Sequence, residues 1–140
     1  MAKKKKRKYR KKGEREKLTI KLDELVKQIL RLREDSICEK CDKYVEGPDA
    51  HTSHVVAKDN GASHRRFDLM NVSLLCKRCH LYWWHKSPLD ASDWYKDKFP
   101  NRYEYLSKYR GGKPAKISTG EMEELVEEYT EKLKELNNGG

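Results

Sequence analysis

Cys76-Lys77-Arg78-Cys79-His80 is a C-x-x-C pair followed at once by a histidine, and it repeats the spacing of Cys38-Glu39-Lys40-Cys41 upstream. A tight turn lets each pair aim two thiolates at one tetrahedral ion, so the four cysteines predict a structural Zn2+ site. Thirty-four residues separate the pairs, so the metal closes a substantial insert. A redox or disulfide pair is the alternative, and the sequence carries no secretory signal that would favour it. A structural zinc supplies on the order of 10 kcal/mol of folding free energy, as much as the whole stability of a small domain.

The insert begins with HTSHVV at 51–56, two histidines three apart ahead of an apolar pair. From the residues alone these are metal ligands, a catalytic base or solvated loop positions. Alternation in a strand would put His51 and Ser53 on one face. Residues 50–57 read as a short strand, 58–67 with Asp59-Asn60-Gly61 as a loop, and 72–75 as a second strand. The stretch KRCHLYWWHK has neither Gly nor Pro and predicts a helix carrying His80.

Around this insert the pattern is helical. Leu18, Leu22, Leu25, Val26, Ile29 and Leu32 repeat at helical spacing and predict an amphipathic helix over 18–33. Ser87-Pro88 with Asp90 opens another helix, to about residue 98. Pro100 opens a further one, ended by Gly111-Gly112. S-T-G-E at 118–121 is a capping box, followed by the stripe Met122, Leu125, Val126, Tyr129, Leu133 and Leu136. This acidic helix either mediates a homodimer or covers the domain's own core.

Charge divides the chain. Of its formal net charge of +9, all is accounted for by residues 1–17, with 11 Lys/Arg against 2 Glu. That stretch lacks hydrophobic periodicity and is expected to be disordered until it meets a polyanion. Lys3, Lys4, Lys5, Lys6 and Arg7 are its candidate phosphate contacts; a solubilising tail or a nuclear import signal are other readings of the same composition. No run of 18 apolar residues occurs, and no apolar segment follows the leading lysines, so neither a membrane span nor a secretory signal is expected. The chain is expected to be soluble and cytoplasmic.

The order HTSHVV, loop, NVSLL, CKRCH resembles the HNH (ββα-metal) nucleases, and more of the chain is similar to one subgroup. RLRE at 31–34, the H-x-x-H strand, RFDLMN at 66–71 and a Glu-rich last helix look like the phage recombination proteins of the lambda NinG (Rap) family. The resemblance covers about residues 18–136, with 88–108 less typical of it. It implies an α+β fold: a small zinc-stapled ββα-metal core with flanking helices and a disordered basic tail. The parts are then a tail at 1–17, the nuclease domain at 18–112, and a linker with the acidic helix at 113–140.

By that resemblance the function is a metal-dependent DNA endonuclease acting in recombination on branched or Holliday-junction DNA, in a bacterial host's cytoplasm if phage-encoded. His54 is implied as the general base, His80 as a helix-borne ligand of a catalytic Mg2+ or Mn2+, and Asn71 as the brace that aims the base. Most HNH members place Asp or His directly before the base, where this chain has Ser53. His51, or a water held by Ser53, is the expected substitute ligand. Phage proteins of the subgroup tend to keep H-x-x-H with a small residue in that place.

Other residues have two readings each. Arg65 and Arg66 either contact phosphates beside the cleaved bond or lie in a solvated loop. His85, five residues after His80, misses the spacing that stacks side chains on an α-helix face and reads as a surface or phosphate-contacting residue, with a ligand role as the lesser alternative. The aromatics from Tyr82 to Tyr109 either stack on unpaired bases or pack a small core. Two other classes of function also fit: a nicking, homing or packaging nuclease, and a non-catalytic zinc-stabilised nucleic-acid-binding module.

Overall fold

The computed structural model describes residues 13–58, 61–112 and 115–139. The candidate contacts Lys3, Lys4, Lys5, Lys6 and Arg7, with most of the expected disordered tail, lie outside the described residues. Helix α1 runs Glu14–Arg33, starting four residues before the apolar stripe. Glu14 and Glu16 in its first turn and Arg31 and Arg33 in its last complement the helix dipole. Leu22, Leu25, Val26, Ile29 and Leu30 are buried along it, Leu30 taking the place expected for the more exposed Leu32.

Strand β1 (Ala50–His54) pairs antiparallel with β2 (Val72–Cys76), in the register Ala50 opposite Cys76 and His54 opposite Val72. β1 stops at His54, three residues short of the expected end. Its continuation is held by a side chain instead, since Val56 bonds to the amide of Asn71. Between the strands, a four-residue helix α2 (His64–Phe67) forms where a loop is expected, capped by Ser63 Oγ accepting from Arg66 N.

After β2 comes a π helix, Arg78–Trp84, then α3 (Pro88–Lys98), α4 (Pro100–Leu106) and α5 (Thr119–Asn138). The described chain is therefore α+β: mostly helical, with one two-stranded sheet. No helix among the described residues is long and apolar enough to cross a membrane.

The capping box read at the start of α5 is present: Ser118 Oγ accepts from Glu121 N, and the Glu121 carboxylate accepts from Ser118 N. α5 lies along α1 in the most extensive contact between elements. Met122 and Tyr129 join Leu22, Ile29, Phe67 and Leu75 in one buried cluster, with Leu125, Val126, Leu133 and Leu136 packed against it. The apolar stripe of α5 thus covers the protein's own core. Tyr129 Oη also donates to the carbonyl of Phe67 at 2.6 Å, so this buried phenol is satisfied.

The aromatic stretch forms a half-buried cluster around the buried Tyr95. Trp83, Trp84, Trp94, Tyr95 and Phe99 contact one another with centroids 5.2–6.5 Å apart, several of them edge to face. Tyr105 and Tyr109 donate to the carboxylate of Asp68 at 2.8 and 2.5 Å. Tyr82 stands apart, 61% exposed, with Lys86 over its ring.

Candidate metal centres and histidine site

Two consecutive left-handed residues, Asp35 (φ 53°) and Ser36 (φ 57°), turn the chain at the end of α1 into the first cysteine loop. Ser36 N reaches back to Arg31 O at 2.8 Å, so the helix end is satisfied as the chain reverses. The loop docks on the sheet through Glu39 N donating to Leu74 O at 2.8 Å. The second pair begins on the last residue of β2 and ends in the π helix.

Ligand atoms of Cys38, Cys41, Cys76 and Cys79 all lie within 4.8 Å of one another, so the four can hold a metal such as zinc. Cys41 Sγ and Cys76 Sγ are 3.8 Å apart. A tetrahedron with Zn–S bonds of about 2.3 Å has an edge of about 3.8 Å, whereas a disulfide needs about 2.05 Å. Cys79 N points at Cys76 Sγ from 3.4 Å, a donor suited to a thiolate. Burial, then the neighbouring thiols, pushes the Cys79 thiol far up; a divalent cation in their midst reverses that preference.

Around the first loop, Glu39 is buried and meets Arg102 Nη1 at 3.1 Å and Arg33 Nη2 at 3.7 Å. Burial raises its carboxyl above the usual range, against the help of Ser73 and Arg102. Lys98 Nζ donates to the carbonyl of Glu39. The segment least typical of the resembled family therefore buttresses the metal loop.

The histidines fall into two groups. His51 Nδ1 lies 2.9 Å from His80 Nδ1, joining β1 to the π helix. His51 Nε2 is 3.0 Å from the carbonyl of Pro48 and donates to it, which leaves Nδ1 as its lone-pair nitrogen. His80 Nε2 in turn lies 3.0 Å from His85 Nε2. Burial first, then the charges of His85, His51 and His54, pushes His80 down to about 4, so its ring is neutral near pH 7.

Alternation turns His54 to the other face of β1. It sits with Thr52 in a cleft lined from α1 by Asp23, Glu24 and Lys27, and by Lys58. His54 Nε2 donates to Arg66 O at 2.9 Å, leaving Nδ1 free to accept a proton. Burial holds its imidazole below the ordinary histidine range, against the stabilising bond to Arg66. From His51 to His54 the strand advances by about 10 Å. The structure brings His51, His80 and His85 together, with His54 near enough for its charge to be felt by His80.

Asn71 is fully buried. Its Oδ1 accepts from Val56 N at 2.7 Å, and its Nδ2 donates to Val56 O and Arg65 O, both at 2.9 Å. One side chain thus ties the strand end to α2, including the residue before the carbonyl that orients His54. Ser53 is also fully buried, opposite Ser73, and its Oγ has no hydrogen-bond partner among the described residues. Ser53 is closed off from solvent while His51 meets His80 directly, so His51 is the better placed of the two expected substitutes.

Arg65 and Arg66 are engaged by the protein itself. Arg65, 7% exposed, donates to Gly112 O at 2.8 Å. Arg66 makes a two-pronged pair with Asp23, Nε at 3.0 Å and Nη2 at 2.7 Å. That pair raises the guanidinium further and ties α2 to α1. The surface they were expected to offer to phosphate is largely taken up by these bonds.

His85 is exposed, as read from the sequence, but its contact with His80 was not foreseen, nor were the Pro48 carbonyl and Asp23. A spacing of five is off-face in an α helix, so no α-helical pattern signals His85. Comparison of the chain with protein-family models, with curated proteins and with solved structures found no match.

Proposed function

We propose that the protein is a metal-dependent DNA endonuclease of the HNH type. The observation that carries this reading is the meeting of His51 and His80 at 2.9 Å across a β-hairpin and the helix that follows it, beside a cysteine cluster fit for zinc. An octahedral ion with metal–ligand distances of about 2.1 Å would have cis donors about 3.0 Å apart, close to the 2.9 Å of this pair, so the pair fits a divalent cation. A Mg2+ or Mn2+ bound there would draw charge from a phosphate oxygen and stabilise the leaving 3′ oxygen.

His51 and His80 would hold the ion through their Nδ1 atoms, that of His51 left with its lone pair by the bond of Nε2 to Pro48. His54, its Nε2 fixed by Arg66 O, presents Nδ1 to take a proton from the attacking water. Asn71 holds the strand end and α2 that carry this geometry. The resemblance adds the expected substrate, branched or Holliday-junction DNA in phage recombination. A nicking, homing or packaging role uses the same chemistry on other DNA.

The placement of His54 on the opposite face of β1 favours a second reading, a zinc-stabilised nucleic-acid-binding module without catalysis. One assay separates them. Wild type, His54→Ala and a chelated control are incubated with supercoiled plasmid, linear duplex and a four-way junction in Mg2+ or Mn2+. The nuclease reading expects chelator-sensitive cleavage that the variant loses, with the junction preferred over linear duplex. Equal cleavage by wild type and variant would refute His54 as the base, and no cleavage by either would leave only the binding module.

A further inference from the structure

We propose that His85 is a positioning residue for His80, recruited to it by the π turn. This rests on the reading of His51 and His80 as an ion-holding pair. In an α helix, residues five apart point in different directions; the wider π turn bonds residue i to i+5 and sets one beneath the other. Here His85 N donates to His80 O at 3.2 Å, and the two rings lie with centroids 4.6 Å apart and Nε2 atoms 3.0 Å apart.

The protons can be counted along this chain of rings. Pro48 O fixes the hydrogen of His51 on Nε2, so His51 Nδ1 has a lone pair. For His80 to share an ion with it through Nδ1, its own hydrogen must be on Nε2. That hydrogen then points at His85 Nε2, which accepts it while His85 keeps its hydrogen on Nδ1. His85 thus fixes both the tautomer and the rotation of the His80 ring. Histidine ligands generally need such an acceptor on their second nitrogen, and its loss weakens metal affinity by about 10–100-fold.

The test uses the full-length, zinc-loaded chain and Mn2+ alone as probe, with free Mn2+ counted by EPR. Wild type, His51→Ala, His80→Ala, His85→Ala and His85→Gln are compared, with zinc content and thermal unfolding measured for each. The expected result is loss of Mn2+ binding in His51→Ala and His80→Ala and about 10–100-fold weaker binding in His85→Ala. Gln at 85, whose carbonyl can accept from Nε2, restores most of it, and zinc content stays constant. Binding by His85→Ala equal to wild type, with His80→Ala dead, overturns the role of His85 alone. Wild-type binding by His80→Ala overturns the ion-holding pair itself. Loss in His85→Ala with His51→Ala unaffected overturns it too, because His85 would then be a ligand.

Discussion

Asn71 and Val56 are joined in both directions: the Val56 amide donates to Asn71 Oδ1 at 2.7 Å, and Asn71 Nδ2 donates to Val56 O at 2.9 Å. The side chain imitates one more pair of ladder bonds just where β1 has ended. Asn71→Ala would leave Val56 N, Val56 O and Arg65 O without their partner inside the fold. Destabilisation of about 2–4 kcal/mol is expected, read as a lower urea midpoint with an unchanged slope. A loss below about 0.5 kcal/mol would contradict the bracing role.

Metal removal should act on the fold as a whole. Cys38→Ser, or a strong chelator on wild type, is expected to lose most helical circular dichroism or the cooperative unfolding transition, since the ion supplies on the order of 10 kcal/mol. Retention of a sharp transition in a verified zinc-free sample would count against a structural cluster.

A third expectation concerns pH. His54 is held below its ordinary value of 6.5 by burial, so in the pH range just below 6.5 the unfolded chain binds the extra proton. Its contribution to stability is therefore complete above pH 6.5 and declines as pH falls toward its folded value. For the proposed cleavage the sign is the same: with His54 as base, a neutral imidazole persists below pH 6.5, and the acid limb of the rate profile should lie there. An acid limb above pH 7 that His54→Ala leaves in place would assign it to another group.

The proposed pair of His51 and His80 would offer an ion two imidazole nitrogens, donors that suit Mn2+ better than Mg2+. Cleavage and calorimetric binding are expected to rank Mn2+ above Mg2+, and His80→Ala to remove the difference. The reverse ranking would point to an oxygen-donor site elsewhere.

Because α5 spends its apolar stripe on α1, gel filtration with light scattering should give a 16.6 kDa monomer at micromolar concentration without DNA. A concentration-independent dimer would require a different interface.

Much of this was legible in the residues. The C-x-x-C spacing encodes its own geometry, and the stripes of α1 and α5 repeat at the period of the helix they form. S-T-G-E names its cap. Other features depend on partners distant in the chain. Arg66 looks like a loop cation until Asp23, 43 residues earlier, is folded beside it. Ser53 looks like a ligand position until the sheet closes over it. The contact of the exposed His85 with His80 was not legible, because sequence periodicity assumes one helical pitch and the stretch after Cys76 adopts another.

Cys76 belongs to the sheet and to the thiol cluster at once, paired with Ala50 across the ladder. Gripping that one residue indexes the hairpin, much as a pin through one tooth fixes a gear. A slip of a single position would turn Thr52, rather than His51, toward His80. An ion held by the four thiols would thereby also help select which side chains the strand displays.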